Sequence, residues 1–426
     1  MSGSLAPLRH AVVIAVGSEL LTPHKLDTNS LFLTERLNAL GVAVRYKSVV
    51  GDDPQEIAAA VRQAVAHAEL IILTGGLGPT EDDVTRDAVA SAFGLALRED
   101  PTVLASIRSR FESRRVEMPS INRRQALVPD GAVVLSNANG TAPGLWLEQP
   151  DGACLLLPGP PRELRPMFER AASRYIAERA EGQRVFRRVL TVVGHTESHV
   201  ESLTQPVYSQ WRPPRTPIST TILASPGQVE LHLSTREAES ASVHHALDEA
   251  TAELSAVLGS SLVSTDGASL EAVVGRLLSA RGCAVAVAES CTGGLTAYRL
   301  TGVPGASAYV RAGWVTYSNQ AKTDLLGVDP AVIEEYGAVS EPVAAAMAVG
   351  ARERGGEGYG LGITGVAGPG GGSLEKPVGT VCVALAGIDA EVRIRTFRFP
   401  GERETVRFQA SQAALDMLRR DLVRQG

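Results

Sequence analysis

The chain has 426 residues, 44% hydrophobic and 21% charged, with 41 Lys and Arg against 47 Asp and Glu for a net charge of −6. That length exceeds the usual ceiling for one hydrophobic core, so two or three domains are expected, and the composition excludes disorder as the main state. The charge gives no electrostatic footing for nucleic acid or an anionic membrane as partner, so any phosphate must be bound locally. The four cysteines, Cys154, Cys283, Cys291 and Cys382, lack metal-ligand spacing and read as reduced cytosolic thiols. No apolar stretch reaches the ~18 residues needed to cross a bilayer, and the first ten residues hold no signal-like apolar core, so a cytoplasmic location is expected.

In chain order, residues 11–16 read as a strand ending in Gly17-Ser18-Glu19. Asp27-Thr28-Asn29-Ser30 can cap a helix whose apolar Leu31, Leu33, Leu37 and Leu40 end at Gly41. A strand over 42–50, a helix over 54–68 and a strand over 70–73 continue the rhythm of a parallel α/β sheet, in which ligands gather at the carboxyl ends of strands. The third strand runs into Thr74-Gly75-Gly76-Leu77-Gly78-Pro79-Thr80-Glu81-Asp82-Asp83, ahead of a helix starting near Val84. Glycines let backbone approach phosphate oxygens, and the acidic run can hold a divalent cation that bridges them; a Gly-rich turn with helix-capping acids is the plain alternative. Glu19 and Asp27 add carboxylates at a neighbouring strand end.

From about 184 to 259 the pattern becomes a small α+β module, with strands over 187–193 and 229–234 and an amphipathic helix over 241–258. Its turn Gly194-His195-Thr196-Glu197-Ser198 is followed by acids, against the basic backbone clamp of a KH-type RNA binder. His195 and His199 therefore read as surface residues. A helix over 270–280 and a buried strand over 283–288 then open the last domain.

That strand meets Glu289-Ser290-Cys291-Thr292-Gly293-Gly294, a strand-to-helix turn where a hydroxyl is exposed to helix N-terminal potential, a geometry suited to acyl transfer; taken alone, the motif reads first as a simple cap. A second segment, Thr316-Tyr317-Ser318-Asn319-Gln320-Ala321-Lys322, places a lysine just past a strand end. Desolvated beside a serine, such a lysine acts as a base; alone, it is a surface residue. A third, Gly362-Ile363-Thr364-Gly365-Val366-Ala367-Gly368-Pro369, puts small residues after an apolar strand. Between the adjacent Ser290 and Cys291, the serine is favoured as nucleophile because no nearby histidine offers to activate the thiol.

The ordered strings AESCTGG, YSNQAK, GAVSEP, GITGVAGPGG, KPVGTV and FPGERETVR over roughly 265–424 resemble the C-terminal domain of the CinA family, the competence/damage-inducible proteins that include nicotinamide-nucleotide amidases. The resemblance implies hydrolysis of nicotinamide mononucleotide to the nicotinate nucleotide and ammonia without a cofactor. Ser290 would attack the carboxamide, Lys322 would take its proton and Tyr317 would help orient them. Thr292, Gly293, Gly294, Thr364 and Gly365 would frame an oxyanion site, and Arg403 or Arg407 would clamp the phosphate.

Residues 8–175, with NRRQA, NANGTAPG and LPGPPREL, resemble the molybdopterin-binding fold and more closely the N-terminal domain of CinA. This implies metal-dependent ADP-ribose pyrophosphatase activity using Mg or Co. Gly75, Gly76, Gly78 and Thr80 would approach the diphosphate, Asp82 and Asp83 would hold the metal, and Glu19 or Asp27 would serve as base. One departure is Pro23-His24-Lys25, where the family has a Gly-Gln pair. The expected organisation is thus α/β throughout: a molybdopterin-binding-like parallel-sheet domain (1–178), a KH-like α+β module (179–262) and an α/β amidase domain (263–426). The family also implies a homodimer. A competence- or DNA-damage-associated binding protein and a molybdopterin-handling protein are the competing readings; a DNA binder should show a basic stripe.

Overall fold

The computed structural model describes residues 5–181, 184–211, 217–237, 241–356, 358–389 and 391–425. Two compact units emerge, one running through Phe186 and the other comprising Arg187–Thr235 and Ser242 onward.

In the first unit the strands are β1 (His10–Val16), β2 (Ala43–Val50), β3 (Leu70–Thr74), β4 (Leu97–Glu99), β5 (Leu127–Pro129), β6 (Val133–Leu135), β7 (Gly144–Gln149) and β8 (Gly152–Leu157). Helices α1 (Thr28–Leu40), α2 (Pro54–Val65), α3 (Thr85–Phe93), α4 (Pro101–Ser113) and α5 (Pro161–Ala171) connect them. Six strands form one sheet in the order β2-β1-β3-β8-β7-β6. The first four are parallel, whereas β7 and β6 run antiparallel, so the expected parallel sheet is a mixed one. The antiparallel edge arises because only Pro150 and Asp151 separate β7 from β8, a connection too short for a parallel crossover.

Helix α1 starts where expected, its Ser30 amide donating to the Asp27 carboxylate, and ends on left-handed Gly41. Leu33 and Leu37 face the core, while Leu31 is exposed and does not belong to the apolar stripe. All five residues of β3 are buried because helices cover both faces of the sheet.

The second unit contains β9 (Arg184–Val193), α6 (Glu197–Tyr208), β10 (Ser219–Ser225), β11 (Gln228–Glu237), α7 (Ala241–Leu258) and β12 (Leu262–Ser264), with the sheet order β10-β11-β9-β12. It continues through α8 (Leu270–Arg281), β13 (Val285–Glu289), α9 (Leu295–Thr301), β14 (Val310–Val315), α10 (Asn319–Leu326), α11 (Pro330–Tyr336) and α12 (Glu341–Gly355). Strands β15 (Tyr359–Gly365), β16 (Thr380–Ala386) and β17 (Val392–Arg398) and helix α13 (Arg403–Arg424) complete it. Its main sheet has the order β14-β13-β15-β16-β17, with the first three strands parallel and the last two antiparallel. Val193 of β9 and Val263 of β12 join the core that α8 and α13 build against this sheet. The small module therefore packs as part of the second unit.

Helix α12 lies directly on β15. A Cβ added at Gly362 would stand 2.3 Å from the Ala344 carbonyl oxygen, whereas one at Gly370 meets nothing within 4 Å. Gly362→Val should therefore destabilise the second unit by about 1–3 kcal/mol and lower its calorimetric melting midpoint by a few degrees, while Gly370→Ala leaves the midpoint unchanged.

Candidate active site

Three parallel strands of the second unit end side by side, and each delivers one part of a buried constellation. The Thr316 amide donates to the Glu289 carbonyl and the Ser290 amide to the Ile363 carbonyl, which locks the ends of β14, β13 and β15 together. Ser290 follows β13 directly. Lys322 lies one turn into α10, whose N-terminus is fixed by the Ser318 hydroxyl accepting from the Ala321 amide. That helical phase turns the lysine inward: Lys322 is 1% exposed and Ser290 8%. Lys322 Nζ donates to Ser290 Oγ at 3.3 Å and to the Thr316 carbonyl at 3.0 Å. Burial pushes the lysine below its ordinary range, with the Cys291 thiol working weakly the other way.

Cys291 points elsewhere. It is buried in the apolar cluster with Val287, Leu300 and Val406, and burial, assisted by Glu289, pushes its thiol up to about 12. Glu289 itself is buried, and its carboxylate accepts from the Thr296 and Ala297 amides at 3.0 and 2.9 Å. It thereby caps α9 from the strand end, a job the sequence pattern did not reveal.

Other expected residues sit differently. Tyr317 is 61% exposed, and its hydroxyl accepts from Arg403 Nη2 at 3.0 Å rather than orienting the serine and lysine. Arg403 Nη1 donates to the Gly368 carbonyl, and Arg407 donates through Nε and Nη2 to the Thr292 carbonyl. Both arginines thus fasten the loops around Ser290. The Gly293 amide closes on the Ser290 carbonyl, a bond that withdraws it from an oxyanion role. Gly294 is the left-handed residue that starts α9. Thr364 and Gly365 lie within β15 rather than in a turn, and the Thr364 hydroxyl anchors the Ala338 carbonyl.

In the first unit a cavity of about 780 Å³ opens at the carboxyl ends of β1, β3 and β8, lined among others by Glu19, Asp27, Gly75, Gly76, Gly78 and Asp82. The glycines are required by their own turn. A Cβ at Gly75, where φ is +99°, would stand 2.2 Å from the Val16 carbonyl oxygen, and one at Gly78 would meet the Asp83 carboxylate at 2.3 Å. Asp83 accepts from the amides of Gly78 and Thr80 and from the Thr80 hydroxyl. Beneath the loop, buried Arg86 donates to the carbonyls of Leu77 and Gly78, and burial lowers it to about 10. Asp27 is occupied with Ser30 at the start of α1.

Among the described residues no three His, Cys, Asp or Glu side chains converge on a metal position. Asp82, exposed on the cavity wall, fits a cation shared with a ligand's phosphates; Asp83, spent on its turn, does not. Arg114, Asn139, Arg162 and Glu163 also line the cavity and were missed. For Asn139, Arg162 and Glu163 the signal lay in NANGTAPG and LPGPPREL, segments whose side chains only the fold brings to the strand ends; Arg114, at the end of α4, lies in neither.

Residues 267–422 match the CinA C-terminal domain model and residues 12–178 the probable molybdopterin binding domain model. A CinA-like protein of Koribacter versatilis is 47% identical over 97% of this chain and all of its own length. The chain belongs to the CinA family. A CinA-like protein of Solibacter usitatus is 46% identical over 96% of this chain and 97% of its own. Among solved structures, the competence/damage inducible protein CihA from Agrobacterium tumefaciens is 40% identical over 35% of this chain and 94% of its own, with a TM-score of 0.34. No helix among the described residues is long and apolar enough to cross a membrane.

In this CinA chain the buried, high-pKa Cys291 thiol should resist iodoacetamide at pH 8 in the folded protein and become labelled only in denaturant. Peptide mass spectrometry reads the difference; rapid labelling of Cys291 in the native state would return it to contention as nucleophile.

Proposed function

We propose that the second unit is an amidohydrolase acting on nicotinamide mononucleotide, with Ser290 as nucleophile and Lys322 as base. The observation that carries this reading is the 3.3 Å contact between Lys322 Nζ and Ser290 Oγ, both buried at a junction of strand ends. A neutral Lys322 accepts the hydroxyl proton as Ser290 Oγ bonds to the carboxamide carbon. The resulting ammonium returns that proton to the amide nitrogen as the carbon–nitrogen bond breaks and ammonia leaves. Water, deprotonated by the same amine, then releases the nicotinate nucleotide and restores the serine. Arg403 and Arg407 stand within one helical turn of each other on α13, and either can exchange a carbonyl acceptor for a phosphate oxygen, a stronger charge-assisted bond.

For the first unit the reading is a phosphohydrolase of ADP-ribose class. A divalent cation on Asp82 would neutralise diphosphate charge, the Gly75–Gly78 turn would face the diphosphate and Glu19 would orient water; that all of them line one cavity supports this reading. A homodimer and a cytoplasmic setting belong to the same proposal.

Ser290→Ala and Lys322→Met should each reduce ammonia release by about a thousandfold or more with circular dichroism unchanged. Retention of most activity in either variant sinks the mechanism. Because burial holds Lys322 below the ordinary lysine range and the neutral amine is the active form, kcat/KM should rise with pH through an ionisation below 10.5, and the rise should vanish in Lys322→Met. EDTA should abolish ADP-ribose cleavage and leave ammonia release intact; the reverse pattern would exchange the two assignments.

A further inference from the structure

In the small module of the second unit, the hairpin of β10 and β11 is seated on α13. Its turn is Pro226-Gly227, and Gly227 has a φ of +72°; a Cβ there would stand 3.3 Å from Gln412 Cγ and 3.6 Å from Gln409 Cγ. Gln409 Nε2 in turn donates to the Pro400 carbonyl at 3.0 Å, in the segment that leads into α13.

A polarised chain of hydrogen bonds runs through this seat. Arg299 of α9, 8% exposed, donates through Nη2 to Gln412 Oε1 at 2.6 Å and to Glu271 of α8 at 2.7 Å, and through Nη1 to the Ser411 hydroxyl at 2.8 Å. A guanidinium has no acceptor, so it fixes which end of the Gln412 amide it faces. The other end, Nε2, donates to Gln228 Oε1 at 3.3 Å, and Gln228 Nε2 donates to Glu230 Oε1 at 2.9 Å. Every bond points the same way, from a buried cation to a carboxylate, and each polarises the next. Gln228 and Glu230 alternate along β11, hence share the face opposite buried Val229 and Leu231.

We infer that the small module is a working part of the amidase: Gln228 and Gln412 are positioning residues that hold α13 and α9 where Arg403, Arg407 and the Ser290 turn take their places. This rests on the amidase reading. Arg407 lies one helical turn before Ser411 and binds the Thr292 carbonyl, while α9 begins at Leu295, just past the same turn. Release of Gln412 therefore loosens both supports of the turn that carries Ser290. The contact between Lys322 and Ser290 is set by the strand ends and survives. The module thus serves substrate binding more than the chemical step.

Gln228→Met removes the module's amide at nearly constant length and leaves every residue of α9 and α13 in place; Gln412→Met and the double variant complete a cycle. With the full chain and nicotinamide mononucleotide, Gln228→Met should raise KM about threefold to tenfold with kcat within about twofold, and the double variant should match Gln412→Met. Additive effects overturn the proposal, because Gln228 would then act elsewhere. Amide exchange followed by mass spectrometry needs no turnover: in Gln228→Met, peptides from 291–300 and 400–411 should exchange about threefold faster or more, with strand 285–289 unchanged. Unchanged exchange in folded Gln228→Met overturns the brace whatever the activity. Faster exchange with unchanged KM in an active parent overturns it too, since the hairpin would then serve stability alone. If the parent releases no ammonia while exchange rises as expected, the brace stands and the amidase reading is what fails.

Discussion

A lysine ammonium carries three N–H donors and holds water tightly, yet Lys322 is almost fully removed from solvent and has the Thr316 carbonyl and the Ser290 hydroxyl as its hydrogen-bond partners. A neutral amine can donate to the Thr316 carbonyl while its lone pair accepts from the Ser290 hydroxyl, and burial favours that form over the ammonium. The rest of the second unit's site follows from keeping that amine dry and aimed. β13 must lie between β14 and β15 so that Ser290 and Thr316 emerge together, and α10 must begin at Ser318 for the first turn to swing Lys322 back over the strand ends. Glu289, by holding the start of α9, fixes the turn that carries the serine.

The first unit uses the same topological position, the carboxyl ends of parallel strands, with the opposite balance of burial. Its glycines are dictated by the close crossing of Gly75 over Val16 and by the Asp83 carboxylate folded against Gly78. Arg86 beneath the turn ties two carbonyls that would otherwise face inward unpaired. The loop is therefore held rigid by its own bonds, and on the cavity wall above it Glu19, Lys25, Asp82, Arg114 and Arg162 stay exposed.

Much of this was readable in the sequence, for definite reasons. Strand β3 and helix α1 announced themselves because an unbroken apolar run and an Asp cap before a 3.6-residue pattern are local signals. Ser290 and Lys322 each read alone as a plain cap and a surface lysine; it was the ordered strings AESCTGG and YSNQAK that paired them, and the structure brings the two side chains together. Strand β10, half exposed and short of apolar residues, gave no pattern to read, and the antiparallel edge strands hide because direction is set by connection length and not by side chains. Tyr317 sits differently from its expectation because proximity in sequence to Lys322 does not say which way a side chain turns, and its hydroxyl turns toward Arg403.

The arginines show the same limit from another side. Arg403 and Arg407 are separated by four residues, so both face one side of α13, and that much follows from helix geometry. What helix geometry cannot supply is the partner: each guanidinium found a backbone carbonyl contributed from a loop far earlier in the chain, Gly368 for one and Thr292 for the other. Because Thr292 lies two residues past Ser290, a change in what Arg407 binds is felt at the turn that carries Ser290. The loop at Gly368 and the turn at Ser290 are in this way parts of a single mechanical unit, held by one helix.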